Sequence, residues 1–151
     1  MERSCYNKAL DLLSRRPHFR RELAAKLAGR GFEDDEVDDA LDRLEAKALL
    51  DDRRTARDFV AHRLAREPLG RWRLLAELDR RGAPEGAAQE AVDAVYPDDE
   101  GALAAAAAER WRRRTARATS AALARHLERR GFTRRAIVTV LRGAADDSDE
   151  P

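Results

Sequence analysis

Leucines recur along this chain in pairs four residues apart: Leu23 and Leu27, Leu74 and Leu78, Leu123 and Leu127. Four residues after each pair stands a glycine, Gly31, Gly82 or Gly131, and these glycines are 51 and 49 residues apart. The register holds beyond them. Six residues on are Val37, Ala88 and Ile137; nine on, Ala40, Ala91 and Val140; ten on, Leu41, Val92 and Leu141. Spacings of three and four mark one face of a helix, and a fixed period of this length marks a tandem array.

The glycines have a mechanical reason. A helix commonly ends on a left-handed residue, which glycine supplies without a side-chain clash. With Gly31 in that role, Phe32 follows it and Leu27 lies where the helix-ending apolar contact forms. Gly131, Phe132 and Leu127 repeat the arrangement, and Gly82, Ala83 and Leu78 give a weaker version. The next helix starts at once, with Asp34 or Asp35 and Thr133 as caps and Pro84 as a first-turn residue. An earlier helix in each unit ends near Arg15, Arg66 or Arg114, and Pro17 and Pro68 punctuate the first two junctions. The alanines of 104–108 continue the period of Leu103 and Trp111 and read as ordinary helix. The expected fold is all-α, three tandem three-helix repeats at residues 4–50, 51–96 and 98–144, with an acidic flexible tail at 145–151. Narrow apolar stripes mean that each unit needs its neighbours to bury its face.

Composition agrees. Charged residues make up 39% of the 151 residues and aromatics 5%. Few large apolar side chains rule out one thick core and favour a thin one shared along a row of short helices. The single cysteine, Cys5, excludes an internal disulfide framework. It aligns with Ala56 and Ala105, a small-residue packing position. No apolar run is long enough for a transmembrane helix, and the first residues have no apolar signal core. A cytoplasmic setting follows as the expectation.

The net charge of +1 conceals blocks of alternating sign. Residues 1–30 carry +5, 31–52 carry −8, 53–82 carry +5, 83–108 carry −6, 109–142 carry +9 and 143–151 carry −4. In the first two units the first and second helices are basic and the third is acidic. Stacked in an array, they would form a basic and an acidic ridge on different faces. The third unit departs from this, since its last helix is basic too. Arginine greatly outnumbers lysine, and its fork suits carboxylates and phosphates.

Catalytic chemistry finds no support. His18, His62 and His126 occupy three different places in the repeat, without a second His or Cys at metal-ligand spacing, and read as surface or capping residues. The acids from Glu33 to Glu36, with Asp38 and Asp39, surround a helix start, where they complement the dipole. No phosphate loop is present, so neither enzyme, metal nor cofactor is expected. Trp111 falls near the line of Leu103 and Ala107 and should pack inside. Trp72 lies off the face of Leu74 and Leu78, between Arg71 and Arg73, as an interface candidate.

Ala9-Leu10-Asp11-Leu12-Leu13-Ser14-Arg15-Arg16-Pro17, then Arg21-Glu22-Leu23 and Gly31-Phe32, is similar to the opening of the RecX family. Ala48-Leu49-Leu50-Asp51-Asp52-Arg53-Arg54-Thr55-Ala56 resembles its leucine–aspartate–aspartate segment. Gly70-Arg71-Trp72-Arg73-Leu74, Glu77-Leu78 and Gly82 look like its middle unit, and Leu127 to Gly131-Phe132 like its closing one. No single motif is specific; the series over residues 5–142 is. The resemblance implies a curved, elongated, solenoid-like array. It also implies a monomeric, non-catalytic regulator in DNA repair, homologous recombination and the SOS response. Such a regulator binds RecA nucleoprotein filaments, in the helical groove across adjacent subunits, and inhibits recombinase, ATPase and coprotease activity. Contact with the filament's single-stranded DNA is expected, with weak binding to free DNA and none to membrane. The alanine-rich first helix of the third unit and the acidic tail depart from the pattern.

A row of three units can touch two filament subunits, so modest contacts add through effective concentration. The expected contacts are Arg20, Arg21, Arg71, Trp72, Arg73, Arg125, Arg129, Arg130, Arg134 and Arg135. Two other readings are a plain DNA-binding helical protein and a helical scaffold for another protein. Against the first, the residues preceding the tight turns, such as Ala24, Ala25 and Ala28, offer few base-reading side chains.

Overall fold

The computed structural model describes residues 4–147, and among them every regular element is a helix. There are nine: α1 (Cys5–Arg15), α2 (Arg20–Gly29), α3 (Asp34–Ala46), α4 (Asp52–Arg66), α5 (Arg71–Arg81), α6 (Glu85–Val95), α7 (Glu100–Arg114), α8 (Ser120–Arg129) and α9 (Arg134–Asp147). They associate in consecutive threes, each helix packing on the other two of its triplet. Three apolar cores follow, one per triplet.

The glycine turns close in one way. Gly31, Gly82 and Gly131 have φ of 91°, 93° and 85°. In each, the glycine N–H donates to the carbonyl three residues back, and the following N–H donates to the leucine carbonyl, at Leu27, Leu78 and Leu127. These bonds satisfy carbonyls that the helix end would leave open. The leucine pairs are buried in all three triplets.

Several local expectations change. Glu33, not Asp34 or Asp35, precedes the first turn of α3, and Glu36 accepts from its N–H at 3.4 Å. Pro84 is the cap of α6 and lies just outside it. Ala105 is exposed; Ala104 takes the small-residue position that Cys5 and Ala56 hold, because the α7–α8 connection is one residue longer than its counterparts. His18 is no surface residue. It is 2% exposed, with its ring hydrogen-bonded on both nitrogens. Of the acidic tail, residues 145–147 continue α9, and 148–151 lie outside the described residues.

The cores are unequal. The first two hold leucines and valines on every helix pair, whereas α7 offers the third only Ala104, Ala107 and Ala108 as fully buried residues. An alanine presents one methyl where a leucine presents a branched chain, so Ile137, Val140 and Leu141 of α9 stay partly uncovered.

Neighbouring triplets meet at the start of one triplet's second helix. At the first junction Phe19, the residue before α2, is buried in the second triplet's core. The Arg20 N–H donates to Asp52 Oδ1 of α4 at 2.8 Å. The Glu22 carboxylate lies 2.6 Å from Arg16 and 3.6 Å from Arg81 at the end of α5. Burial acts to raise the Glu22 carboxyl, but the hydrogen bond and charge of Arg16, joined by Arg81, hold it below the usual value.

At the second junction the contact is backbone on backbone. The Gly70 N–H donates to Arg130 O at 2.9 Å and the Trp72 N–H to Gly131 O at 3.2 Å. A Cβ on Gly70 would overlap the Gly131 carbonyl, and one on Gly131 would overlap the Arg73 backbone. Here the glycines permit close approach as well as the turn.

Candidate partner-binding surface

The charge blocks are largely spent within the first two triplets. Arg20 of α2 reaches Asp42 at 2.9 Å and Glu45 at 3.1 Å on α3. Arg53 and Arg57 of α4 both meet Glu90 of α6, and Arg71 of α5 meets Asp93 at 2.7 Å. The basic helices therefore pair with the acidic helix of their own triplet, where separate ridges were expected. The pairs are partly or fully exposed, so each contributes little to stability. Their larger effect is to neutralise the surface.

The third triplet has no acidic third helix to answer its arginines. Within residues 109–142 only Glu109 and Glu128 are acidic. Arg113 takes Glu109 at 2.6 Å. Arg125 and Arg129 of α8 and Arg134 and Arg135 of α9 are exposed and have no carboxylate partner among the described residues. They gather around the Gly131 turn, where two helix ends meet.

The ten expected contact residues thus divide. Arg20 and Arg71 are held by the chain's own carboxylates. Arg130 pairs with Glu67 of the second triplet at 2.8 Å. Arg73 donates to the Arg129 carbonyl at 3.4 Å, with its Nε buried against the Gly131 turn and 3.9 Å from Glu77. Arg21 is exposed and without a carboxylate partner among the described residues, its Cβ beside Gly82 at the first junction. Trp72 is 59% exposed, and its backbone is bonded to Gly131. The second junction therefore sets the backbone of Trp72, whose side chain is exposed, against the α8–α9 turn that carries the arginines, residues some sixty positions apart in the chain.

In the third triplet Trp111 stacks on His126, ring centroids 5.4 Å apart and planes at 21°. Burial lowers the His126 pKa below its ordinary value, and the neighbouring Arg130 and Arg129 charges lower it further. Sequence reasoning missed this stack, because Trp111 and His126 lie in different helices.

Among the described residues no cluster of His, Cys, Asp and Glu could hold a metal ion, and no helix is long and apolar enough to cross a membrane. Cys5 is buried, which raises its thiol pKa and leaves it a packing residue. Fold and surface together describe an all-α chain of helix triplets that displays arginines and the exposed Trp72.

Comparison with known proteins gives this class a family. Residues 5–44 match the family model described as RecX, first three-helix domain, and residues 51–92 that described as RecX, second three-helix domain. The chain is 41% identical over 147 residues to the regulatory protein RecX of Halorhodospira halophila, covering 94% of this chain and 88% of that one. With the regulatory protein RecX of Prosthecochloris aestuarii it is 38% identical over 90 residues, 60% of either chain. The crystal structure of RecX from Lactobacillus salivarius superposes with a TM-score of 0.81 at 22% identity, covering 93% of this chain and 94% of that chain. The chain belongs to the RecX family of regulatory proteins.

Proposed function

We propose that this chain, acting as a cytoplasmic monomer, binds RecA nucleoprotein filaments and restrains their recombinase, ATPase and coprotease activities. The arginine cluster of the third triplet, with Trp72 beside it, makes the contact. One observation carries the assignment of the face. The first two triplets answer most of their arginines internally, whereas Arg125, Arg129, Arg134 and Arg135 are exposed without carboxylate partners among the described residues. Unpaired arginine is costly to concentrate unless a partner supplies the anion. A filament supplies carboxylates and DNA phosphates at regular intervals, and a chain of triplets can engage more than one interval. Trp72, exposed and joined through its backbone to the Gly131 turn, adds apolar area of the kind found at energetic centres of protein interfaces.

The direct test is the single-stranded-DNA-dependent ATPase of RecA with this chain titrated in. The rate should fall with saturation. A rate unchanged by excess protein would overturn the proposed function and leave the fold as described.

A further inference from the structure

One position in the triplets is filled in three different ways. Leu12, Arg63 and Trp111 occupy equivalent places near the end of the first helix, and Lys26, Glu77 and His126 equivalent places on the second. In the second triplet the space between them is closed by an ion pair: Arg63 reaches Glu77 at 2.8 Å and Glu67 at 3.4 Å. In the third it is closed by the Trp111–His126 stack. In the first it is open.

That opening is a cleft of about 520 Å³. Leu12, Arg15, Arg16, His18, Lys26 and Arg30 line it, and among the described residues no carboxylate does. Where the second triplet has Glu77 and Glu67, the first has Lys26 and Arg16. The carboxylates that complete the equivalent space are thus replaced by cations. Lys26 and Arg30 are one helical turn apart, a like-charged spacing that weakens a helix. Neither has a carboxylate partner among the described residues, while Arg15 and Arg16 use Asp11 and Glu22.

The ammonium of Lys26 is held in place. The His18 Nδ1–H donates to the Arg16 carbonyl at 2.9 Å, and Nε2 accepts from Lys26 Nζ at 2.9 Å. An ammonium can only donate, so the ring that faces it is the neutral Nδ1–H tautomer. His18 is buried, so this arrangement is packed into the first triplet. One of the three ammonium protons is committed to the imidazole, and the other two remain available. A buried imidazole positions a cation at the wall of an open cleft.

We infer that the cleft between α1 and α2 binds a phosphate group, with Lys26 and Arg30 as its principal ligands and Arg15 and Arg16 at its rim. Arginine forks and an oriented ammonium match the oxygens of a phosphate, and no carboxylate among the described residues competes for Lys26 and Arg30. The site goes beyond the filament-binding reading and does not require it, because it lies in the first triplet and is testable without RecA. Two sources share this chemistry: the backbone of a nucleic acid and a free phosphate compound.

The test uses the full chain, labelled with nitrogen-15, titrated separately with inorganic phosphate and with a short oligothymidylate. Amide signals of Gly29 and Arg30 should shift saturably. K26M and R30Q should each weaken the response tenfold or more while circular dichroism stays helical. R113E, a charge change in another triplet, should leave it intact. Tighter saturation by the oligonucleotide assigns the site to a nucleic-acid backbone, and saturation by phosphate alone assigns it to a free phosphate compound. No saturable shift with either probe, or responses of K26M and R30Q equal to that of the parent, would overturn the inference.

Discussion

The two junctions between triplets solve one geometric problem with different materials. At the first, Phe19 crosses into the neighbouring core, and Glu22 ties Arg16 to Arg81. At the second, the position equivalent to Phe19 is Gly70 and that equivalent to Glu22 is Arg73, and main chains touch directly. A side-chain junction derives its strength from buried area and tolerates small shifts. A backbone junction has little area and depends on the absence of two side chains. The second brings the exposed Trp72 beside the Gly131 turn and its arginines, so its geometry bears on the proposed interface.

The largest effect should come from the first junction. F19A removes a 1% exposed ring from the second core, and large-to-small changes of this kind cost about 3–4 kcal/mol. Chemical denaturation should show the loss as a lower midpoint.

Next come the glycines, three positions with one backbone conformation and three surroundings. At Gly31 an added Cβ meets nothing within 4 Å, at Gly82 it meets Arg21 at an ordinary 3.7 Å, and at Gly131 it overlaps the Arg73 backbone. G31A and G82A should each cost about 1 kcal/mol, the left-handed penalty alone. G131A adds a clash, for about 3 kcal/mol in all. Equal midpoints for all three variants would show that the second junction is not tight.

A smaller effect belongs to Glu22. E22Q removes the charge that Arg16 and Arg81 share and should cost about 1–2 kcal/mol near neutral pH. The folded carboxyl is held below its unfolded value, so its contribution is present above about pH 4.5 and is lost as pH falls through the folded value. The histidines act in an earlier window. Burial lowers both His18 and His126, so their unfolded forms take up protons first, and stability falls as pH drops from about 6.5. Replacing both with glutamine should flatten the melting temperature between pH 7.5 and 5.5. The smallest effect is a gain. Ala48, two residues after α3, has φ 57°, and A48G should stabilise by about 0.5–1 kcal/mol.

The helices were legible because their signals are local: leucines four apart, a glycine four residues on, a cap after it. The burial of His18 was not. It depends on Lys26 and the Arg16 carbonyl, a contact among residues of mixed polarity that no periodicity reports. The register of α7 misled for a similar reason, since one extra residue in the connection to α8 moved Ala104 into the place assigned to Ala105. Charge was legible as blocks but not as pairs. The sequence pattern placed arginines in all three triplets, and only the packing of α2 on α3 and of α4 and α5 on α6 separates those already answered from those still exposed.

That separation can be measured. R129E, R134E and R135E combined change exposed arginines without carboxylate partners among the described residues, whereas R20E and R71E combined break internal pairs. Inhibition of RecA's DNA-dependent ATPase, read beside the melting temperature, distinguishes them. The account predicts that the first set abolishes inhibition with the melting temperature unchanged, while the second lowers the melting temperature and keeps inhibition at temperatures where the chain is folded. Full inhibition by the first set would contradict it.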